Sequence, residues 1–222
     1  MGHRLAVVLA VCLCLPALAY AAAGDPKERL TPADQAKAKA MLLVRSDLAT
    51  GWIKTSTPDS GDDITCAGFD PDLSDLTLTG KGRSQFTNRA AGANVFSYVS
   101  LYATPAQARS AWSRVIKPAL ARCLAHVIER GVAGQGVDVA FTKQGRVAFP
   151  AVAPRTAAFR IVAVISAPQS TVKVPVAVDL VVLGRGRSEV VLAAMAAGKG
   201  IPAADVRAFA RLLAGRMLKA GA

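Results

Sequence analysis

Hydrophobic residues change their spacing several times along this chain, and the changes divide it into elements. Val172, Val174, Val176, Val178, Leu180 and Val182 alternate with Lys173, Pro175, Ala177 and Asp179, the period-two pattern of a half-buried strand. Gly184-Arg185-Gly186-Arg187 then predicts a turn, and Ser188 to Ala197 returns as the hairpin partner. Two more strands are predicted at 75–87 and 93–103. In the second, Val95, Val99 and Leu101 point one way while Phe96, Tyr98 and Tyr102 point the other. Further strands are predicted over 137–142, 145–149 and 156–166.

Helical spacing interrupts these runs three times. Thr31-Pro32-Ala33-Asp34 supplies an N-cap, a proline at the first helical position and an acid in the first turn. Met41, Val44 and Leu48 extend an apolar stripe from there, with Gly51 suited to the C-terminal turn. Thr104-Pro105-Ala106-Gln107 repeats the start signal as a capping box. It predicts a long helix to about Ile128 whose face carries Trp112, Val115, Ile116, Ala119 and Cys123, bent at Pro118. Pro202 opens a last helix with Val206, Phe209, Ala210, Leu213 and Met217 on one face. Neighbouring strands grouped between helices predict the α+β class: an antiparallel sheet of six or seven strands flanked by three helices, in the order α-ββ-α-βββββ-α.

The N-terminus does not join this pattern. His3 and Arg4 precede an apolar run from Leu5 to Leu15, too short to span a bilayer, and small residues follow in A-x-A spacing around Ala19 and Ala21. We read residues 1–23 as a secretory signal peptide and 24–222 as one domain, secreted or extracytoplasmic. Cys12 follows Val11 and Cys14 follows Leu13, so cleavage is expected rather than a lipoprotein anchor. No later charge-free apolar run reaches the length of a membrane span.

Removing the leader leaves Cys66 and Cys123 as the mature cysteines and His126 as the only mature histidine. Two cysteines in an oxidising compartment read as one disulfide. A zinc site would need both, with His126 and an aspartate, and lacks the second paired half that such sites carry. A Cys-His nucleophile would need a reduced, activated thiolate, and a lone histidine weakens a Ser-His-Asp arrangement. Asp70, Asp72 and Asp75 follow Cys66, and Asp59, Asp62 and Asp63 precede it. Pro71 stiffens the run and no glutamate closes a calcium loop, so these acids read as a solvated loop. The glycines at 131–136 and 184–186 match no phosphate-binding spacing. We therefore assign no metal and no cofactor, and expect a non-catalytic chain.

Charge adds a partner class. Lys and Arg total 27 against 15 Asp and Glu, a net +12, which suits an anionic lipid or wall-polymer surface. No basic run interleaves with aromatics, so nucleic acid is not expected. Phe96, Tyr98 and Tyr102 are the candidate ligand-binding residues, able to line a pocket for an apolar or sugar-like ligand.

The runs "LLVRSDLATGW" (42–52), "DPDLSDLTLTG" (70–80), "SYVSLYATPAQARSAW" (97–112) and "KPALARCLA" (117–125) resemble actinobacterial exported sensor-like domains. These are similar to the PknH-like extracellular domain and its relatives with the Mog1/PsbP-type sandwich. The resemblance implies a helix-flanked antiparallel sheet with a cleft and non-catalytic ligand binding. It departs in one respect, since the kinase sensor domain carries two disulfides and only Cys66 and Cys123 are available here. Three functions are carried forward: first a binding or sensor-like module for a small lipid-like or sugar-like ligand or envelope component, second a basic protein that associates with the envelope surface, and third an enzyme, which would need a Ser, an Asp and His126 to converge on one cleft.

Overall fold

The computed structural model describes residues 24–55, 66–132, 136–167 and 172–221. Residues 1–23, read above as a leader, with Cys12 and Cys14, the acids Asp59, Asp62 and Asp63, and residues 133–135 of the first glycine-rich segment lie outside them. In chain order the elements are β1 (Lys27–Glu28), α1 (Pro32–Ala40), β2 (Ile53–Thr55), β3 (Thr77–Asn88), β4 (Ala93–Tyr102), α2 (Pro105–Val115), α3 (Ala119–Val132), β5 (Asp138–Arg146), β6 (Arg155–Ser166), β7 (Lys173–Arg185), β8 (Ser188–Ala197) and α4 (Ala203–Lys219). The sheet runs β1-β3-β4-β8-β7-β6-β5, with β2 also on β3. All pairings are antiparallel except β1 with β3.

The α+β class is as expected, but the element count is not. The described residues form four helices and a mixed sheet of eight strands, where three helices and six or seven antiparallel strands were predicted. The first helix stops at Ala40, not Gly51, because Met41, Leu42 and Leu43 are all buried. Three consecutive residues point around most of a helix, so a surface helix could not bury them together. The chain instead drops onto the sheet, where the Leu43 N–H donates to Ser97 Oγ at 3.0 Å. Val44, placed on the predicted apolar stripe, is 43% exposed.

Pro118 ends a helix instead of bending one. It has no N–H to give and pushes Lys117 away from helical dihedrals, so α2 closes on Ile116 and α3 begins afresh at Ala119. The two strands predicted at 137–142 and 145–149 are one, β5, with a register shift between Phe141 and Lys143. The Thr caps hold: Thr31 and Thr104 Oγ1 accept from the N–H of Asp34 and Gln107, each at 3.2 Å. Gln107 does not complete a capping box. Its Oε1 accepts from Thr77 N at 3.0 Å and ties α2 to β3.

The strand predicted as half-buried, β7, is buried on both faces over most of its length. One face of the sheet packs Val176, Val178, Leu180 and Val182 with Val191, Ala193 and Met195 under α2 and α3. The other packs Val181, Leu183, Val190, Leu192 and Ala194 under α1 and α4. The result is three layers, helices on each side of one sheet.

Close approach of α1 to β3 depends on a missing side chain. A Cβ at Gly80 would lie 2.5 Å from the Asp34 carbonyl oxygen and 2.7 Å from its carbon. Backbone cannot yield to that contact, so Gly80→Ala is expected to lower stability by about 1–3 kcal/mol, the range for overpacking, read as a fall in the urea midpoint.

Candidate functional site

The segment from Cys66 to Leu76 crosses from α3 to the start of β3 and is fixed at several points. Cys66 and Cys123 form a disulfide with a Cα–Cα distance of 5.6 Å, so the thiols are not available as metal or redox thiolates. Next to it, Cys66 and Phe69 exchange two backbone hydrogen bonds, at 3.1 and 2.8 Å. Phe69, Leu73 and Leu76 are buried in the core beneath α2 and α3. The Leu73 N–H donates to the Gly24 carbonyl, and Asp72 Oδ1 accepts from Ser74 N. Arg114 of α2 then donates to the Asp72 carbonyl and to both carboxylate oxygens of Asp75. These contacts hold the Asp72 and Asp75 carboxyls below the usual carboxylate range: for Asp72 the cause is its hydrogen bonds from Ser74, for Asp75 the Arg114 guanidinium. Of the acids predicted as a solvated loop, Asp70, Asp72 and Asp75 are exposed, and Asp72 and Asp75 are also tethered.

Where this strap meets α3 and β5 it leaves a groove of about 390 Å³. One wall is the loop from Cys66 to Phe69. The second is a stripe along α3 carrying Ala119, Arg122, His126 and Glu129, residues three or four apart that share one helix face. Phe141 and Gln144 of β5 form the third. The floor is apolar, with Phe69 buried and Phe141 half-buried, while Arg122, His126 and Glu129 stand exposed at the rim. His126 Nδ1 lies 3.1 Å from Glu129 Oε2, and both side chains are exposed. Among the described residues, no group of three His, Cys, Asp or Glu side chains could hold a metal ion.

The aromatic residues singled out in the sequence do share one face of β4, the face toward α2 and α3. Tyr102 is core at 4% exposure, whereas Phe96 and Tyr98 are half-buried and pack against that core. Burial pushes the Tyr98 hydroxyl above its ordinary value, against a hydrogen bond from Ser100 that favours ionisation. The groove draws on other residues, and sequence spacing could not find it. Its walls come from segments joined only by the fold; the one local signal was the α3 stripe.

A second polar feature lies under α2. Strand register places Arg155 beside Gly184, Gly184 beside Glu189, and Glu189 beside Ser100, one row across β6, β7, β8 and β4. Gly184 leaves room for the Arg155 side chain; a Cβ there would sit 2.5 Å from Arg155 Nε. The guanidinium carbon lies 5.7 Å from the Trp112 ring centroid, within cation–π range. Arg155 Nε and Nη2 and Glu189 Oε2 are buried without a hydrogen-bond partner among the described residues. Burial pushes the Glu189 carboxyl up from 4.5 to about 7, against the pull of the Arg155 charge. Burial likewise lowers Arg155 from the ordinary guanidinium value.

Two outcomes follow from these contacts. Breaking the disulfide with Cys66→Ser/Cys123→Ser releases a loop closed at a separation of 57 residues, and the chain-entropy model predicts a loss of about 4 kcal/mol in denaturant unfolding. Glu189 sets a pH slope. Its folded-state value of about 7 lies above the unfolded 4.5, so the folded chain keeps a proton that the unfolded chain loses. Stability from this group is complete below about pH 4.5 and falls as pH rises through about 7, by about 3 kcal/mol in total. Glu189→Gln should match the parent near pH 4 and exceed it at pH 8; equal urea midpoints at pH 8 would contradict the assignment. Compared with known protein families and with curated proteins, the sequence matches no family model and no curated relative.

Proposed function

We propose that this chain is an extracytoplasmic, non-catalytic binding module whose site, the groove between strap, α3 and β5, takes a small amphiphile with a lipid-like or sugar-like character. The observation that carries this reading is the composition of that groove. Its volume of about 390 Å³ falls within the range of small-molecule sites. Phe69 and Phe141 offer apolar surface, and Arg122, His126 and Gln144 offer polar groups at the mouth. The lining offers polar and apolar surface in equal measure, which suits an amphiphile with a polar headgroup better than a wholly apolar ligand.

The signal-like segment over residues 1–23 and the Cys66–Cys123 disulfide support an oxidising, extracytoplasmic setting. The resemblance to exported sensor-like domains points the same way. Phe96 and Tyr98 remain the alternative position for the ligand, on the half-buried part of the β4 face.

The test is an NMR titration of the oxidised protein with two probes, octanoate and octyl glucoside. Saturable shifts at Ala119, Arg122, His126 and Phe141 are expected, and the preferred probe reports the headgroup. Ala67→Trp fills the mouth from an exposed position and should weaken binding about tenfold or more, the scale of one lost apolar contact or steric block, with far-UV circular dichroism unchanged. Shifts confined to Phe96 and Tyr98 would move the site to β4. No saturable shift at either place would reject the reading.

A further inference from the structure

The outer surface of the α1/α4 layer carries charge of nearly one sign. Lys37 and Lys39 of α1, Arg45 of the following turn, and Arg211 and Lys219 of α4 are exposed, and Arg207 is half-buried beside them. The acids of this layer are already engaged. Asp34 accepts from Arg187 Nη2 at 2.8 Å, and Asp47 takes both terminal nitrogens of Arg216 at 2.7 and 2.8 Å. Only Asp205 stands exposed on α4, in its first turn, where it complements the helix dipole.

Apolar side chains break the same surface. Leu218 is 63% exposed, Val44 43% and Leu212 37%, half of the large hydrophobic residues that stand out among the described residues. The Asp47 carboxylate gathers Val44 to α4, because its Oδ2 accepts from both Val44 N and Arg216 Nη1. At 3.6 residues per turn, Arg207, Arg211, Leu212, Leu218 and Lys219 fall within an arc of about 140° on α4. Ala204, Ala208 and Gly215 occupy the middle of that arc, so little side-chain bulk keeps the helix backbone from a flat surface.

We propose that this face docks on an anionic phospholipid surface, with α4 lying in its plane. Cations whose charge no buried acid cancels are drawn to the headgroups, and the aliphatic stems of Arg and Lys lie along apolar surface while their charge stays in water. Leu212, Leu218 and Val44 then enter the acyl boundary. A soluble or wall-bound polyanion would use the same cations but leave the three apolar residues in water, so lipid accounts for more of the surface. The face lies across the sheet from the groove, so the docking is independent of the ligand reading above.

The experiment is vesicle flotation of the oxidised protein with phosphatidylcholine alone, with phosphatidylcholine containing phosphatidylglycerol, and a parallel pull-down on immobilised polyphosphate. Binding to the phosphatidylglycerol vesicles only is expected, falling about tenfold or more as salt rises from about 0.05 to about 0.5 M. R207E/R211E should lose about tenfold or more in partitioning, since each reversal replaces attraction by repulsion at the surface. L218S should lose several-fold for vesicles at low salt and nothing for polyphosphate; circular dichroism confirms that both variants fold. Equal binding to neutral vesicles, retention by R207E/R211E, indifference to L218S, or capture by polyphosphate without flotation would each overturn the proposal.

Discussion

The β7–β8 hairpin presents apolar side chains to both faces of the sheet, so neither face can be left to water. On one side stand Val176, Val178, Leu180, Val182, Val191 and Met195. On the other stand Val181, Leu183, Val190, Leu192 and Ile201, the last just beyond β8. Fully burying one such side chain is worth about 1.5–3 kcal/mol. A bare face would therefore cost about as much as the roughly 5–15 kcal/mol by which a domain is stable. Two helical layers are the physical consequence. The site follows from them in turn, because α3 can form a groove wall only by lying over β5 and β6.

Arginine–aspartate pairs fix how the layers sit. Arg187 joins the β7–β8 turn to the start of α1, Arg216 joins α4 to the turn after α1, and Arg114 joins α2 to the strap. Arg160 and Asp179 pair across β6 and β7 on the α1/α4 side at 2.7 Å. Three of these four pairs meet the carboxylate with two nitrogens, a geometry that sets orientation as well as attraction. The pattern spends the acids of the α1/α4 layer on internal contacts. What remains on its outside is positive apart from Asp205.

Much of the architecture was legible because local and tertiary preferences agree. The threonine-proline caps, the β7–β8 alternation and the aromatic face of β4 all report backbone states that the fold keeps. The Cys66–Cys123 pair was legible by elimination once residues 1–23 were read as a leader. Other features were not, for definite reasons. The stop of α1 at Ala40 is decided by burial of three adjacent apolar residues, which overrides their helical spacing. The two-residue β1 exists only because β3 offers a partner edge. Glu189 looks like any surface glutamate until the register sets it between Gly184 and Ser100 beneath α2. The groove needs three segments far apart in sequence, and no spacing rule connects them.

The disulfide has a consequence for how the chain bears load. Between Cys66 and Cys123 lie the strap, β3, β4, α2 and the first turn of α3. A pull applied to the two ends of the molecule passes through the sulfurs and bypasses this whole loop. A separation of 57 residues corresponds to roughly 200 Å of extended chain, hidden from tension while the bond is intact. The β3–β4 pair thus sits in mechanical parallel with a covalent link, whereas β5 to β8 sit in series with the ends. Under force the two halves of one continuous sheet would behave as different materials, the first yielding no length until it is reduced.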